Sequence, residues 1–186
     1  DYELDFSRSG DLPPVQCEDG DVSVSLSGKV DRVDGYIKNG RLYLRVMDYK
    51  SGKKSFSLSD IWYGLNMQLI IYLYALQQEG LVRYRARLTA ELNEIVPAGV
   101  LYVPVRDELP DAARDTDEEG LRILRDKALR RSGLLSDDMS LLEAMEHGLE
   151  GDGRFIPVSI KTRKGEDEPT LAAKSAVADL AKFGRL

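Results

Sequence analysis

RLYLRVMDYK, residues 41–50, is the stretch that decides the fold, because its apolar side chains recur at every second position. Such alternation predicts a half-buried β-strand. One face of that strand carries Leu42, Leu44 and Val46. The strand follows Asn39-Gly40, and Asn-Gly is the strongest short signal for a hairpin turn. Residues 22–50 are therefore predicted to form an antiparallel hairpin around this turn.

Two charged residues, Asp48 and Lys50, end the apolar face of this strand, since residues two apart point to the same side. An acid and a lysine on a core face are costly unless they are paired, metal-bound or exposed. A hairpin centred on the Asn-Gly turn pairs residues whose numbers sum to about 79, which places Asp31 opposite Asp48. Two facing carboxylates repel each other and favour a divalent cation between them.

This arrangement suits phosphodiester hydrolysis. A magnesium or manganese ion polarises a phosphate and lowers the pKa of a bound water. Lys50 beside it can orient the nucleophile and stabilise developing negative charge. The alternative is an exposed hairpin in which Asp48 and Lys50 only form a surface salt bridge.

A long helix is predicted over residues 61–78, with Ser59 as its N-cap and Gly80 at its end. Its apolar residues nearly encircle it, so it is expected to be largely buried. Gln68 and Tyr72 are four apart and share one helical face. A buried Gln68 needs hydrogen-bond partners, which a catalytic carboxylate, a lysine or a phosphate would supply. The alternative is a glutamine bonded to backbone within a core.

The rest of the chain completes an α/β domain with a mixed sheet. A buried strand is predicted at 100–105 and an edge strand at 155–160. Helices are predicted after a capping box at Thr116–Glu119, over about 139–147, and over 171–183. Arg83, Arg85 and Arg87 fit either a strand edge or an extension of the long helix. Trp62 and Tyr63 are expected to pack in the core rather than to stack on bases.

Composition bounds the class of protein. The 186 residues are 42% hydrophobic and 31% charged, which excludes a disordered chain, a collagen and a disulfide scaffold. The longest apolar run, Leu69–Leu76, is far shorter than the ~20 residues of a membrane span. The single cysteine, Cys17, excludes an internal disulfide and favours a reducing, cytoplasmic setting. The chain starts at Asp1 rather than Met, so we expect a piece of a larger subunit.

Charge is distributed unevenly along the chain, although its net value is -6. Residues 29–54 carry eight Lys/Arg against three Asp, whereas residues 107–152 carry fourteen acids against six bases. A net negative charge argues mildly against nucleic acid as a partner. The basic half nevertheless predicts contact with a polyanion, and the alternative is that both halves are simply solvated faces.

Three sequence blocks carry a resemblance to a known family. They are Gly28-Lys29-Val30-Asp31-Arg32-Val33-Asp34, Met47-Asp48-Tyr49-Lys50-Ser51-Gly52 and Gly64-Leu65-Asn66-Met67-Gln68-Leu69-Ile70-Ile71-Tyr72. In order and spacing they resemble the motif series of the RecB-type PD-(D/E)XK nucleases. Later blocks, at 97–102, 133–138 and 154–158, are similar to the C-terminal nuclease domain of the AddB family of helicase–nuclease subunits.

The resemblance implies a restriction-endonuclease-like core at about 20–106, an elaboration at about 107–186, and one nuclease domain over 1–186. It implies that Asp31, Asp48 and the Tyr49 backbone carbonyl are metal ligands and that Lys50 is the catalytic lysine. Gln68 and Tyr72 match the Gln-x-x-x-Tyr motif that supports the active site. The basic block sits on these motifs and adds four expected DNA contacts, which are Lys29, Arg32, Lys53 and Lys54.

The activity that the resemblance implies is Mg²⁺- or Mn²⁺-dependent exonucleolytic cleavage of DNA during double-strand-break repair, with an AddA-like helicase subunit as partner. Family members also carry a four-cysteine iron–sulfur cluster. Cys17 matches none of its positions, so no cluster is expected in this chain. The competing hypotheses are a nuclease fold kept as a docking module for DNA or the helicase subunit, and an unrelated α/β binding domain.

Overall fold

A computed structural model describes residues 1–52, 54–89, 91–105, 111–162 and 169–180. Within these ranges lie ten strands and four helices. The strands are β1 (Tyr2–Phe6), β2 (Val15–Asp19), β3 (Val22–Leu26), β4 (Gly28–Lys38), β5 (Arg41–Lys50), β6 (Glu94–Pro104), β7 (Ser132–Ser136), β8 (Ile160–Lys161), β9 (Thr170–Leu171) and β10 (Val177–Ala178). The helices are α1 (Leu58–Trp62), α2 (Gln68–Arg87), α3 (Glu118–Leu129) and α4 (Met139–Met145).

A six-stranded mixed sheet in the order β1-β4-β5-β6-β7-β10 forms the centre of the fold. The pairs β5–β6 and β7–β10 are parallel and the other pairs are antiparallel. The helix α2 connects β5 to β6, because two parallel neighbours need a crossover rather than a tight turn. The predicted α/β fold with a mixed sheet flanked by helices is confirmed.

The hairpin β4–β5 has the predicted register, since Arg32 pairs with Met47 and Lys38 with Arg41. Its turn residues, Asn39 and Gly40, have φ of 52° and 71°. A turn with φ positive at both central residues requires this chemistry. The ladder therefore fixes the position of every β5 side chain relative to β4.

Both faces of β5 are covered, which explains why the strand is apolar on both sides near its end. Leu42, Leu44 and Val46 pack in the cluster that includes Leu69 and Leu73 of α2. Met47 points to the opposite cluster, which contains residues of β6, β7 and α4. Asp48 follows directly, so the strand brings a carboxylate to the edge of two cores.

The predicted hairpin over 22–50 is too broad. Val22–Leu26 pairs with Val15–Asp19 in a separate two-stranded sheet. Period-two alternation indicates a strand but does not select its partner, and the nearer partner here is the strand just before it.

The predicted helix over 61–78 is wrong in its bounds. Gly64 and Asn66 have φ of 76° and 54°, and these left-handed residues separate α1 from α2. Ser57, rather than Ser59, caps α1 by accepting a hydrogen bond from the Asp60 N–H at 3.2 Å. Gly80 lies inside α2, where a Cβ would meet Ile95 of β6 at 3.0 Å. It is a position of close helix–sheet packing rather than a helix end.

The three arginines of the ambiguous 83–87 stretch belong to α2. The capping box also needs correction, because Asp117 rather than Thr116 caps α3 by accepting from the Gly120 N–H. The strand at 100–105 is confirmed as part of β6, and the helix near 139–147 as α4.

The predicted strand at 155–160 is wrong, because side chains hold this segment in bends. The Glu146 carboxylate accepts from the N–H groups of Arg154, Phe155 and Ile156 at 2.6–3.1 Å. Arg130 donates to the carbonyls of Ile156 and Val158. Only the end of the segment, Ile160, enters a strand.

The predicted helix over 171–183 is also wrong across the part that the structure describes. Val177 and Ala178 pair with Leu135 and Ser136 of β7. Tertiary pairing has overridden a local preference for helix there. Residues 181–186 lie outside the described residues. In the described part of the chain, no helix is long and apolar enough to span a bilayer.

Candidate active site

Asp48 and Lys50 lie together at the end of β5, as the alternation predicts. Lys50 Nζ is 2.6 Å from Asp48 Oδ2. The Asp48 side chain is 9% exposed and that of Lys50 34%, so the acid is buried while the ammonium reaches the surface. The surface-salt-bridge alternative does not fit a carboxylate with this degree of burial.

Asp31 is held beside them through the backbone of β5. The Tyr49 N–H donates a 2.8 Å hydrogen bond to Asp31 Oδ2. The β4–β5 ladder ends at the Arg32–Met47 pair, so Asp31 lies one residue beyond it, on the side of Asp48. The sequence register of about 79 therefore brings the two carboxylates to the same end of the hairpin.

The charges at this end favour a protonated lysine. The interaction with Asp48 raises the pKa of Lys50, burial opposes this, and Asp31 adds to the rise. Burial and the Asp48 charge likewise raise the pKa of the Tyr102 phenol. Lys50 is therefore a cation at neutral pH, suited to stabilising negative charge rather than to taking a proton.

The donor set fits a hard divalent cation. Asp48 Oδ2 is buried and accepts no hydrogen bond of good geometry from the described residues, its close contact being the Lys50 ammonium. No group of three or more His, Cys, Asp or Glu side chains is present in the described ranges. Magnesium fits such a sparse set, because it usually retains several waters and takes only one or two carboxylates.

Gln68 and Tyr72 share a helical face, as predicted, but Gln68 is exposed rather than buried. Gln68 Nε2 donates to the Tyr72 hydroxyl at 3.0 Å. The Tyr72 ring stacks on Phe6 at 5.9 Å between centroids. It also covers Gly28 so closely that a Cβ there would lie 2.7 Å from a ring carbon. The first and third sequence blocks thus meet through Gly28 and Tyr72.

The predicted DNA-contacting cations have different local partners. Lys29 pairs with Glu3 on the surface at 2.8 Å. Arg32 is engaged by both oxygens of Asp34, at 2.7 and 3.1 Å. Lys54 donates to Asn66 Oδ1 at 2.8 Å. Lys53 lies outside the described residues.

Tyr102 is a site residue that the sequence patterns do not single out. It pairs with Asp48 in the parallel β5–β6 ladder. Its ring centroid lies 5.7 Å from Lys50 Nζ and 5.9 Å from Lys54 Nζ, distances at which an aromatic face attracts an ammonium. The predicted strand at 100–105 contains Tyr102, but only the register reveals that this residue lies beside the acid.

A cavity of about 410 Å³ lies elsewhere, with Asp34, Tyr43, Arg45 and Met145 among its lining residues. The Asp48–Lys50 pair is not part of that lining. A small recess of about 10 Å³ instead adjoins Lys50, Lys54 and Tyr102. The candidate site is therefore an open surface, which a polymeric substrate can reach.

The sequence of residues 1–166 matches the PD-(D/E)XK nuclease superfamily. The chain belongs to this superfamily, as the sequence blocks indicate.

Similar proteins of known name are all called subunits of an ATP-dependent helicase/deoxyribonuclease, of the AddB type. The one from Ruminiclostridium cellulolyticum is 36% identical over 183 residues, covering 98% of this chain and 15% of that protein. The one from Acetivibrio thermocellus is 37% identical over 173 residues, covering 92% and 14%. The one from Clostridium botulinum is 37% identical over 188 residues, covering 99% and 16%. The resemblance to AddB-type subunits is confirmed, and the chain spans about one sixth of their length or less.

Proposed function

We propose that this chain is the nuclease module of an AddAB-type helicase–nuclease, cleaving phosphodiester bonds in DNA. The observation that carries the proposal is the buried Asp48 carboxylate beside the Lys50 ammonium, with Asp31 fixed next to them by the Tyr49 amide. The names of the similar proteins support a deoxyribonuclease within a helicase complex. An AddA-like subunit would be the partner and double-strand-break repair in the cytoplasm the setting.

The carboxylates of Asp31 and Asp48, with the Tyr49 carbonyl, would hold Mg²⁺ or Mn²⁺. When bound, the ion would supply neutralisation of the phosphate charge and a more acidic water. Lys50 faces the same space as a cation and would stabilise the charge that develops on the phosphate during attack. Gln68 and Tyr72 would position the strand from the helix side, through an amide and a phenol already joined by a hydrogen bond.

A second ammonium would orient the backbone of the strand from the β5 side. Lys54 presents this group next to that of Lys50, above the Tyr102 ring. Exonucleolytic action requires a free DNA end to enter this surface, and the helicase subunit would deliver it. Lys29 and Arg32 would contribute phosphate contacts farther along β4.

The decisive experiment is a calorimetric titration of Mg²⁺ and Mn²⁺ into the chain and into the Asp31→Asn/Asp48→Asn double variant. We expect binding by the wild type and loss of binding by the double variant. Lys174→Ala, at an exposed ion pair with Asp152, serves as a control that keeps binding. Equal binding by wild type and double variant would overturn the assignment of these carboxylates.

Cleavage is tested in parallel on end-labelled DNA with the same ions. Products that shorten stepwise from an end support an exonuclease. A wild-type chain that binds the ion and DNA but releases no product would instead favour the docking-module hypothesis.

A further inference from the structure

Two aromatic side chains stand out in solvent at the end of α1. Trp62 is 85% exposed and Tyr63 is 79% exposed, contrary to the core role predicted from the sequence. Leu58 and Leu65 flank them at 60% and 58% exposure. Single exposed apolar residues are common, but four within eight residues form a patch that marks a binding surface.

The turn that presents these rings is fixed by hydrogen bonds. Gly64 N–H donates to the Ile61 carbonyl at 2.9 Å, and Leu65 N–H donates to the Asp60 carbonyl at 2.7 Å. The Asn66 side chain donates to Asp60 Oδ2 at 2.9 Å. A turn tied at three points holds its side chains outward without a large ordering cost on binding.

Direct contacts join this turn to the candidate active site. Asn66 Oδ1 accepts from Lys54 Nζ. The ammonium of Lys54 shares the Tyr102 ring with that of Lys50, which pairs with Asp48. On the other side, α2 begins at Gln68, five residues after Tyr63. The turn that carries the aromatic pair is thus one contact away from the cations that face the site.

From this arrangement we infer that Trp62 and Tyr63 form a stacking platform for unpaired bases of a DNA strand entering the site. This inference rests on the proposed function. Aromatic faces next to ammonium groups match the alternation of bases and phosphates in a single strand. The bases of a duplex are already stacked on each other, so duplex DNA has no internal base faces to offer the platform.

The chain provides its own reporter, because Trp62 is its single tryptophan. The test titrates a 20-residue oligo(dT) into the chain in EDTA and follows Trp62 fluorescence, with affinity measured by anisotropy of labelled oligo(dT). We expect quenching on binding. Trp62→Ala should weaken oligo(dT) binding by about tenfold, within the range measured for base–aromatic stacking. Trp62→Phe should keep the affinity within about threefold of wild type, because a ring remains.

The matched control is Val82→Ala, which removes another exposed apolar side chain, 77% exposed on α2, and should not change binding. A 20-base-pair duplex should bind Trp62→Ala within about twofold of wild type, because its bases are not free to stack. Unchanged oligo(dT) affinity in Trp62→Ala, or an equal loss on duplex, would overturn the platform and leave a protein partner as its occupant.

The two proposals fail separately. Oligo(dT) binding is measured without metal, so a failed metal titration leaves the platform standing. An intact metal titration with no oligo(dT) binding by the wild-type chain overturns the platform alone.

Discussion

The Tyr49 amide and the Asp31 carboxylate are joined by a 2.8 Å hydrogen bond between neighbouring strands. One oxygen of Asp31 is thereby oriented by a rigid backbone group, and the other is free of hydrogen bonds from the described residues. A hydrogen bond from a backbone N–H to a carboxylate fixes its direction and favours its charged form.

Replacing Asp31 by Asn should separate the structural role of this residue from its ligand role. The Asn amide oxygen can still accept from Tyr49 N–H, so the urea midpoint should stay near that of wild type. Asp31→Ala loses the acceptor and should cost about 1 kcal/mol in unfolding free energy. Both variants should lose cation affinity in calorimetry. Wild-type cation affinity in Asp31→Asn would remove Asp31 from the site.

Lys50→Ala should lower the cleavage rate by about 10²–10³-fold, the cost of removing one preorganised group that stabilises transition-state charge. The rate is measured at saturating DNA and metal, with circular dichroism to verify folding. Lys174→Ala removes a lysine away from β5 and should cleave at the wild-type rate. Full activity in Lys50→Ala would contradict its assignment.

Gly28→Ala should disturb the Tyr72 ring, because the new Cβ would lie 2.7 Å from a ring carbon and 2.9 Å from the hydroxyl. Overpacking of this kind costs about 1–3 kcal/mol, measurable by urea unfolding. Gly52→Ala is the matched control, since a Cβ at that residue would have no atom within 4 Å. Equal stability of the two variants would mean that Tyr72 moves aside freely.

Asp34 should give the protein a pH-dependent share of its stability. Burial raises the pKa of its carboxyl, but hydrogen bonds and charge from Arg32 and Arg45 outweigh burial and hold that pKa below the ordinary 3.8. A lowered pKa in the folded state stabilises the protein above the unfolded-state pKa, and the stabilisation is lost as pH falls through the folded-state value.

Asp34→Asn should therefore destabilise the chain by about 1.5–3 kcal/mol at pH 7, the range for hydrogen bonds to charged groups. The difference from wild type should shrink as the pH is lowered below about 4, measured by urea unfolding at each pH. Asp21→Asn, an exposed position, controls for the loss of one negative charge. A difference that stays constant down to about pH 3 would contradict the role of the Asp34 charge.

Local and periodic signals in the sequence predict the part of the fold that carries the site. The alternation in β5 and the Asn39-Gly40 turn determine a register, and the register alone brings Asp31 near Asp48. Prediction fails where a single residue overrides a long pattern. Gly64 and Asn66 adopt left-handed backbone within an otherwise helical stretch, and nothing in the apolar spacing reveals it.

The remaining errors have a common physical cause, which is partner choice. The bends after Arg154 depend on Glu146, and β10 depends on an open edge of β7. Such contacts form between segments distant in the chain, so local propensity carries no information about them. For the same reason the sequence predicts Trp62 in the core, although its side chain lies in solvent.

The central position of β5 has a kinetic consequence for the site. Its neighbours β4 and β6 pair with it along nearly its whole length, and both of its faces are covered. Amide hydrogens in such strands exchange with solvent only through global opening of the molecule. The amides of Met47 and Asp48 should thus be among the slowest to exchange, while the α1–α2 turn fluctuates. The catalytic carboxylate would then be the last part to lose its place, so inactivation and unfolding should share one midpoint.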